Sequence, residues 1–370
     1  MSIYFHVITG LKTGGAEAML LKLVESDPKL HTVLSLTPGG KYFKVLSNIG
    51  VKVIAINSFG KFSLLFNLFK MIRVLNKSKS KVIIGWMYHG NLVASFLSMV
   101  TRIPHIWNIR HSLSLVDNEK RSLRIVIKIG AFFSKYPEKI LYNSYISSLQ
   151  HKNLKYCSDN AFVVPNGINI SKCKADDRPV QDFFLENDLL NCFIVGHVAR
   201  YHPMKDHSCF IKSISMVKSK IPDLKVVMAG FGVDYKNKTL VSEINKYDLE
   251  STVILLGERS DIMSILKSID LFVLSSAWGE GFPNVLLEAM CCEVPVISTD
   301  VGDAKFIVSN IGKIVNASDS VALSKEILDV YDMGELHRKE VGIKGAKRVR
   351  DMYDINKVRS DYVDLWDKCL

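Results

Sequence analysis

The chain has 370 residues, of which 48% are hydrophobic and 23% charged, and it carries a formal net charge of +11. This length exceeds one ordinary core and suits two domains, and the apolar share excludes wholesale disorder. The absence of low-complexity tracts and short repeats excludes fibrous and solenoid architectures.

Met1 to Val7 runs directly into a strand-like segment, without the basic start and long apolar core of a signal peptide, so none is expected. No stretch has the roughly 18–20 uncharged apolar residues that a bilayer crossing needs. Seven cysteines (Cys157, Cys173, Cys192, Cys209, Cys291, Cys292, Cys369) are scattered without a Cys-x-x-Cys pair. Reduced thiols in a cytoplasmic protein are the expectation. Residues 1–170 hold 22 Lys and Arg against 7 Asp and Glu, a surplus of +15, and no acidic residue occurs from Pro28 to Val116. A half this basic suits an anionic partner.

In chain order, β-branched runs at Ile3–Thr9, Thr32–Leu36, Lys52–Ile56, Lys81–Gly85, His105–Ile109, Lys139–Tyr142 and Ala161–Val164 read as strands. The stretches between them are long enough for crossover helices, which implies a parallel sheet covered on both faces. Pro165-Asn166-Gly167 is a turn signal, and a polar, irregular stretch follows to about Asn191. The pattern then restarts at Cys192–His197, Lys225–Ala229, Val253–Leu256, Leu271–Leu274, Val294–Ser298 and Lys313–Val315. Two α/β domains follow, at 1–170 and 185–350, each binding ligands beyond the carboxyl ends of its strands. Two such sheets facing each other would leave a cleft between the domains.

The most informative motif runs from Ser275 to Met290 and contains Gly279-Glu280-Gly281-Phe282-Pro283-Asn284-Val285, with Glu288 farther on. A strand ends in small residues, and a helix is expected to open at Pro283, where a missing N–H costs nothing. The amides and dipole of that helix start favour a phosphate, and Glu280 and Glu288 can accept hydrogen bonds from sugar hydroxyls. Arg200 and Lys205 follow the strand that ends at His197, where a strand end meets a helix start. A departing diphosphate needs about two such cations, a planar fork and a point charge. His197, His202 and His207, spaced by five, fall on different helix faces, and no Asp-x-Asp occurs, so no metal is expected. In the first half, Thr13-Gly14-Gly15-Ala16-Glu17 joins a strand to a helix and lets backbone approach an anion. His89 and His111 stand at the ends of neighbouring candidate strands, as cleft-lining residues do.

Together these motifs resemble the family 4 glycosyltransferases of the GT-B fold. The matching parts are Gly14-Gly15-Ala16-Glu17, Asn166-Gly167-Ile168, Arg200 with Lys205, Glu280-x₇-Glu288 with Ala289-Met290, and Val294-Pro295-Val296. The resemblance implies an α/β chain of two Rossmann-like domains facing each other across a cleft, with a C-terminal helix near 353–370 packing back on the first domain. It implies a metal-independent retaining transferase whose donor is a nucleotide-diphosphate sugar, UDP by family frequency, with no cofactor. Arg200 and Lys205 would hold the diphosphate, with Gly15 beneath it. Glu288 would hold the ribose and Glu280 the transferred sugar, while Gly281, Phe282, Asn284 and Val285 face sugar and phosphate through backbone. His111 would contact the sugar near the reaction centre, and Gly257-Glu258-Arg259 would line the base.

Ile84–Asn91, Ile109-Arg110-His111-Ser112 and Asn118-Glu119-Lys120 further resemble bacterial surface-polysaccharide members, which act on lipid-diphosphate-linked glycans at the cytoplasmic face of the inner membrane. Two mixed apolar and basic segments, Lys61–Lys77 and Glu119–Lys135, suit peripheral contact with an anionic membrane. A soluble sugar acceptor and a GT-B-type sugar-nucleotide epimerase are the alternatives. No nucleic-acid motif accompanies the basic half.

Overall fold

The computed structural model describes residues 3–56, 63–113, 120–174, 189 and 191–370, with backbone alone for 63–66, 172 and 174. Asn118, Glu119, Lys61 and Phe62 lie outside the described residues, as do the side chains of Leu65 and Phe66. The chain divides into two compact units, Met1–Gly167 with Ile355–Leu370, and Ile168–Asp354.

In the first unit the strands are β1 (Tyr4–Ile8), β2 (His31–Ser35), β3 (Lys52–Ala55), β4 (Val82–Trp86), β5 (His105–Ile109), β6 (Lys139–Tyr142) and β7 (Ala161–Val163). The helices described among them are α1 (Gly15–Val24), α2 (Lys41–Asn48), α3 (Ser63–Ser78), α4 (Met87–Thr101), α5 (Arg121–Phe133) and α6 (Tyr145–Asn153). All pairings are parallel, in the order β3-β2-β1-β4-β5-β6-β7. Every residue of β1, β4 and β5 is buried. Helices on both faces explain why these strands read as unbroken apolar runs rather than alternating ones.

In the second unit the strands are β8 (Phe193–Val198), β9 (Leu224–Ala229), β10 (Val253–Leu255), β11 (Leu271–Leu274), β12 (Val296–Thr299) and β13 (Lys313–Val315), ordered β10-β9-β8-β11-β12-β13 and all parallel. Its helices are α7 (His207–Val217), α8 (Lys238–Lys246), α9 (Ile262–Lys267), α10 (Asn284–Cys291), α11 (Ala304–Val308), α12 (Ser320–Asp332) and α13 (Gly334–Tyr353). One face of the sheet packs Ile194 and Phe272 with Leu286 and Ile307. The other packs Val195 and Val273 with Phe210 and Ile214. In both sheets the strand order reverses, between β1 and β4 and between β8 and β11, and ligands of such sheets bind at that switch point.

The last helix, α14 (Ile355–Asp367), returns to the first unit. Its buried residues Ile355, Val358, Tyr362 and Trp366 form one apolar stripe packed with Tyr4, Leu20 and Trp86. Asp354, in extended conformation, separates it from α13.

All thirteen expected strands are present, each within two residues at either end. Two expectations are corrected. Pro283 is the residue before α10 rather than its first helical residue, because its ψ of 95° keeps it extended. Cys173 and Cys291 form a disulfide, whereas all seven thiols were expected reduced. The two lie 118 positions apart, so spacing gave no signal; the short 3-10 turn Ile170–Lys174 packs on the end of α10 and brings them together. Cys157, Cys209 and Cys369 are outside any disulfide.

Candidate active site

In the second unit, the loops that leave β8, β11 and β12 interlock at the switch point. Ala277 N–H donates to the Met204 carbonyl at 2.8 Å, and Ser275 Oγ donates to the Lys205 carbonyl at 2.8 Å. Thr299 Oγ1 donates to the Ser276 carbonyl at 2.6 Å, and Asp303 N–H to the Gly281 carbonyl at 2.9 Å. Gly302, at φ +63°, permits this last approach: a Cβ there would sit 2.7 Å from the carbonyl oxygens of both Glu280 and Gly281. Beneath the loops, His197 Nε2 lies 3.0 Å from Ser275 Oγ, and its ring sits 4.8 Å from that of His207. Burial, reinforced by the neighbouring His207 and Lys205, keeps His197 neutral and far below its usual pKa.

This scaffold brings Lys205 and Glu280 into contact. The Lys205 ammonium is bonded to Glu280 Oε1, which also accepts from Ser276 Oγ at 2.7 Å. The two side chains are only 14% and 10% exposed, so each charge depends on the other for what it loses in solvation. Asp206 fixes the backbone beside Lys205: it adopts the left-handed conformation at φ 45°, caps α7 through Cys209 N–H, and accepts from Ser318 Oγ at 2.6 Å. Arg200 is exposed, on backbone pinned by Ala199 N–H to Ala229 O at 2.9 Å and Tyr201 N–H to Phe231 O at 2.8 Å. Its guanidinium makes no hydrogen bond or ion pair among the described residues.

Gly281, Phe282, Asn284 and Val285 form the entry to α10, whose N-terminus receives no side-chain cap from Pro283. Its dipole therefore points a positive end toward the same mouth. Phe282 is buried and packs edge-on to Tyr353 at 5.7 Å, which anchors the loop. Glu288 is half-buried, one turn inside the helix. Glu258 and Arg259 stand apart, exposed after β10. Arg259 turns onto Asp261 with bonds of 2.9 and 2.6 Å, and these hold the Asp261 carboxyl below its usual pKa.

In the first unit, Gly14, Gly15, His89 and His111 gather at the carboxyl ends of β1, β4 and β5. Gly14 caps α1 in extended conformation, with the Glu17 carboxylate folded back over it, and the space above Gly15 is open. His89 is the third residue of α4, half-buried, and burial lowers its pKa. Met87, at φ 61°, makes the sharp strand-to-helix turn that starts α4. His111 lies two residues beyond the end of β5, with Nδ1 3.3 Å from Tyr88 Oη.

The sequence reading missed Ser276 as a partner of Glu280, the Gly302-Asp303 turn that clamps the motif, and Tyr88 and His151 behind His111. A glycine in the loop after a strand was the available signal for Gly302; buried hydroxyls and imidazoles leave none. Among the described residues no group of three His, Cys, Asp or Glu could hold a metal ion, and no helix is long and apolar enough to cross a membrane.

Residues 186–348 match the family model described as glycosyl transferases group 1. An uncharacterized glycosyltransferase of Methanocaldococcus jannaschii is 29% identical over 65% of this chain, and the match spans 60% of that protein. The capsular polysaccharide biosynthesis glycosyltransferase CapM of Staphylococcus aureus is 28% identical over 94% of this chain and 92% of its own length. The UDP-Gal:alpha-D-GlcNAc-diphosphoundecaprenol alpha-1,3-galactosyltransferase of Escherichia coli is 23% identical over 81% of this chain and 79% of its own. Among solved structures, Anabaena HepE in complex with UDP superposes with a TM-score of 0.86 over 100% of both chains at 20% identity. The match over residues 186–348 and these relatives make the chain similar to group 1 glycosyltransferases, and its two parallel Rossmann-like sheets share the fold of that solved structure, GT-B.

Proposed function

We propose that the enzyme moves a hexose or N-acetylhexosamine, with retention, from a UDP sugar to a lipid-diphosphate-linked oligosaccharide in surface-polysaccharide assembly. The observation that carries this reading is the contact of Lys205 with Glu280 beside the entry to α10. Lys205, Arg200 and the helix dipole supply positive charge where a diphosphate departs, and Glu280 and Glu288 supply acceptors for sugar and ribose hydroxyls. As the bond from C1 to the phosphate oxygen breaks, negative charge builds on the diphosphate, and Lys205 and Arg200 stabilise it. The acceptor oxygen bonds to C1 on the same face, and its proton passes to the departing phosphate oxygen. No protein nucleophile and no metal ion take part. Gly15 lies under the diphosphate, the backbone of 257–259 lines the base, and His111 and His89 meet the reacting sugars.

The E. coli relative's name, with its diphosphoundecaprenol acceptor, supports a lipid carrier. So does the surface of the first unit. Met99, Ile129 and Tyr136 are exposed and line a groove of about 530 Å³ with Leu92, Phe96 and Phe133, between α4 and α5, and Phe132 is exposed on α5. The Lys135 amine sits 5.3 and 5.1 Å above the Phe132 and Tyr136 rings. Apolar groups rimmed by cations suit the cytoplasmic face of an anionic membrane, where each cation adds about 1 kcal/mol.

The test is a panel of sugar nucleotides incubated with a lipid-diphosphate-linked glycan in the presence of EDTA, read by mass spectrometry. Gain of one sugar on the glycan is expected. No transfer with any donor, or conversion of the donor to its epimer without acceptor, overturns the reading.

A further inference from the structure

We propose that the first unit holds a separate anion site, at the end of its sheet where the strands begin, which takes a phosphate group through Lys29, Lys52, Lys77 and Lys79. The site stands apart from the residues described above and does not rest on the function proposed for them.

Four segments of the chain build it. The 3-10 turn Pro28–Leu30, the starts of β2 and β3, and the end of α3 border a pocket of about 530 Å³. Lys29, Lys52, Lys77 and Lys79 are exposed and line it, and no carboxylate does. None of the four ammonium groups makes a hydrogen bond or ion pair among the described residues. Lys77 and Lys79 stand at the negative end of the α3 dipole, which accounts for them without a ligand. It does not account for Lys29 and Lys52, which arrive on other elements and only add repulsion to an empty pocket.

Two buried side chains line the same pocket. Thr32 is 0% exposed, and its Oγ1 has no hydrogen-bond partner. A hydroxyl desolvated in this way costs free energy that valine would not. His31 is 4% exposed, and its hydrogen is placed by a chain that starts at a fixed donor. Trp86 Nε1–H can only donate, and it gives to His6 Nδ1 at 3.1 Å. His6 is therefore neutral, carries its hydrogen on Nε2, and donates to His31 Nδ1 at 2.9 Å. Because His31 Nδ1 accepts, that ring is neutral too and carries its hydrogen on Nε2. Burial, which pushes the His31 pKa down to about 4, agrees with this. Asp27 and Arg359 act on the ring with opposite signs, and Asp27 already accepts from Ser26 Oγ at 2.8 Å.

The pocket therefore joins a neutral N–H and an unpartnered hydroxyl to four point charges. Ammonium groups lack the planar fork that suits a carboxylate. A phosphate offers three acceptor oxygens and about two charges to several such groups at once. Ser78 Oγ donates to the Leu75 carbonyl at 2.6 Å, which covers one oxygen that would repel an anion. Gly15, His89 and His111 lie at the other end of the sheet, about 17 Å away by the length of a five-residue strand. A phosphate held here occupies no part of that region.

The test is nitrogen-15 NMR of histidine-labelled protein titrated with inorganic diphosphate in excess UDP, alongside sedimentation with phosphatidylglycerol vesicles. The chains compared are the wild type, the double variant Lys52→Glu with Lys77→Glu, and Thr32→Val. A saturable shift of the His31 signal is expected in the wild type. The double charge reversal should weaken diphosphate binding by about tenfold or more, and Thr32→Val by about fivefold, the scale of one hydrogen bond. The melting temperature should hold in the double variant and hold or rise in Thr32→Val, which loses no hydrogen bond. Given the His31 shift, vesicle binding that falls with the charge reversal assigns the phosphate to a lipid headgroup, and unchanged vesicle binding assigns it to a soluble anion; both support the site. No saturable His31 shift, or a shift that survives the charge reversal, overturns it. Diphosphate bound at the entry to α10 leaves His31 unmoved, so failure of the transferase reading imitates neither result.

Discussion

The Lys205 ammonium rests on the Glu280 carboxylate although the two residues are 75 positions apart. Only the parallel neighbours β8 and β11, whose loops lock together through Met204 and Ala277, can create that contact. The charges are therefore set by the sheet rather than by flexible side chains. Lys205→Ala is expected to lower kcat by about 10²–10³, as for other preorganised groups that meet developing charge. Lys205→Ala and Glu280→Gln should be non-additive, with a coupling of about 0.5–3 kcal/mol in a double-mutant cycle of kcat/KM. Additive losses would mean that the two act separately.

Arg200 behaves differently because it is exposed and unpaired among the described residues. Arg200→Ala should leave the melting temperature unchanged and weaken UDP binding by about 10–100-fold, the loss of a charge-assisted bond. Calorimetric titration with UDP checks this, with a thermal melt as control.

Buried histidines make the chain acid-sensitive. His31, His105, His151 and His207 are each pushed down by burial to about 4, and His6 lies well below its usual value. Their unfolded value is about 6.5, so between pH 6.5 and 4 the unfolded chain binds protons that the folded chain refuses. Stability is therefore full above about pH 6.5 and falls as pH drops through that window. Melting temperatures taken from pH 7 to pH 4 should decline steeply; a flat profile would contradict the neutral buried rings.

The groove between α4 and α5 gives a membrane prediction. Phe132→Ser with Lys135→Glu removes an exposed ring and reverses a charge, without touching a buried side chain. Sedimentation with anionic liposomes should fall several-fold while transfer to a short, water-soluble acceptor analogue is kept. Equal sedimentation of the variant and the wild type would remove this surface from the account.

The architecture was legible because both sheets are buried on both faces: runs such as Tyr4–Ile8 and Leu271–Leu274 have no polar alternation to blur them. The Glu280 motif was legible because strand, small residues and helix follow one another locally. What stayed hidden depends on contacts across long separations. The Cys173–Cys291 bond, the Ser276 hydroxyl on Glu280 and the contacts of Tyr88 with His151 and His111 exist only once crossover connections place their elements side by side. Pro283 misled by one position because its ring also suits extended backbone just before a helix.

The most direct test of the central claim is a crystal structure of the protein with UDP. The account predicts the diphosphate at the entry to α10, within hydrogen-bond reach of Arg200 and Lys205, with the ribose hydroxyls on Glu288. A diphosphate bound elsewhere, with Lys205 still closed on Glu280 and neither cation touching it, would contradict it.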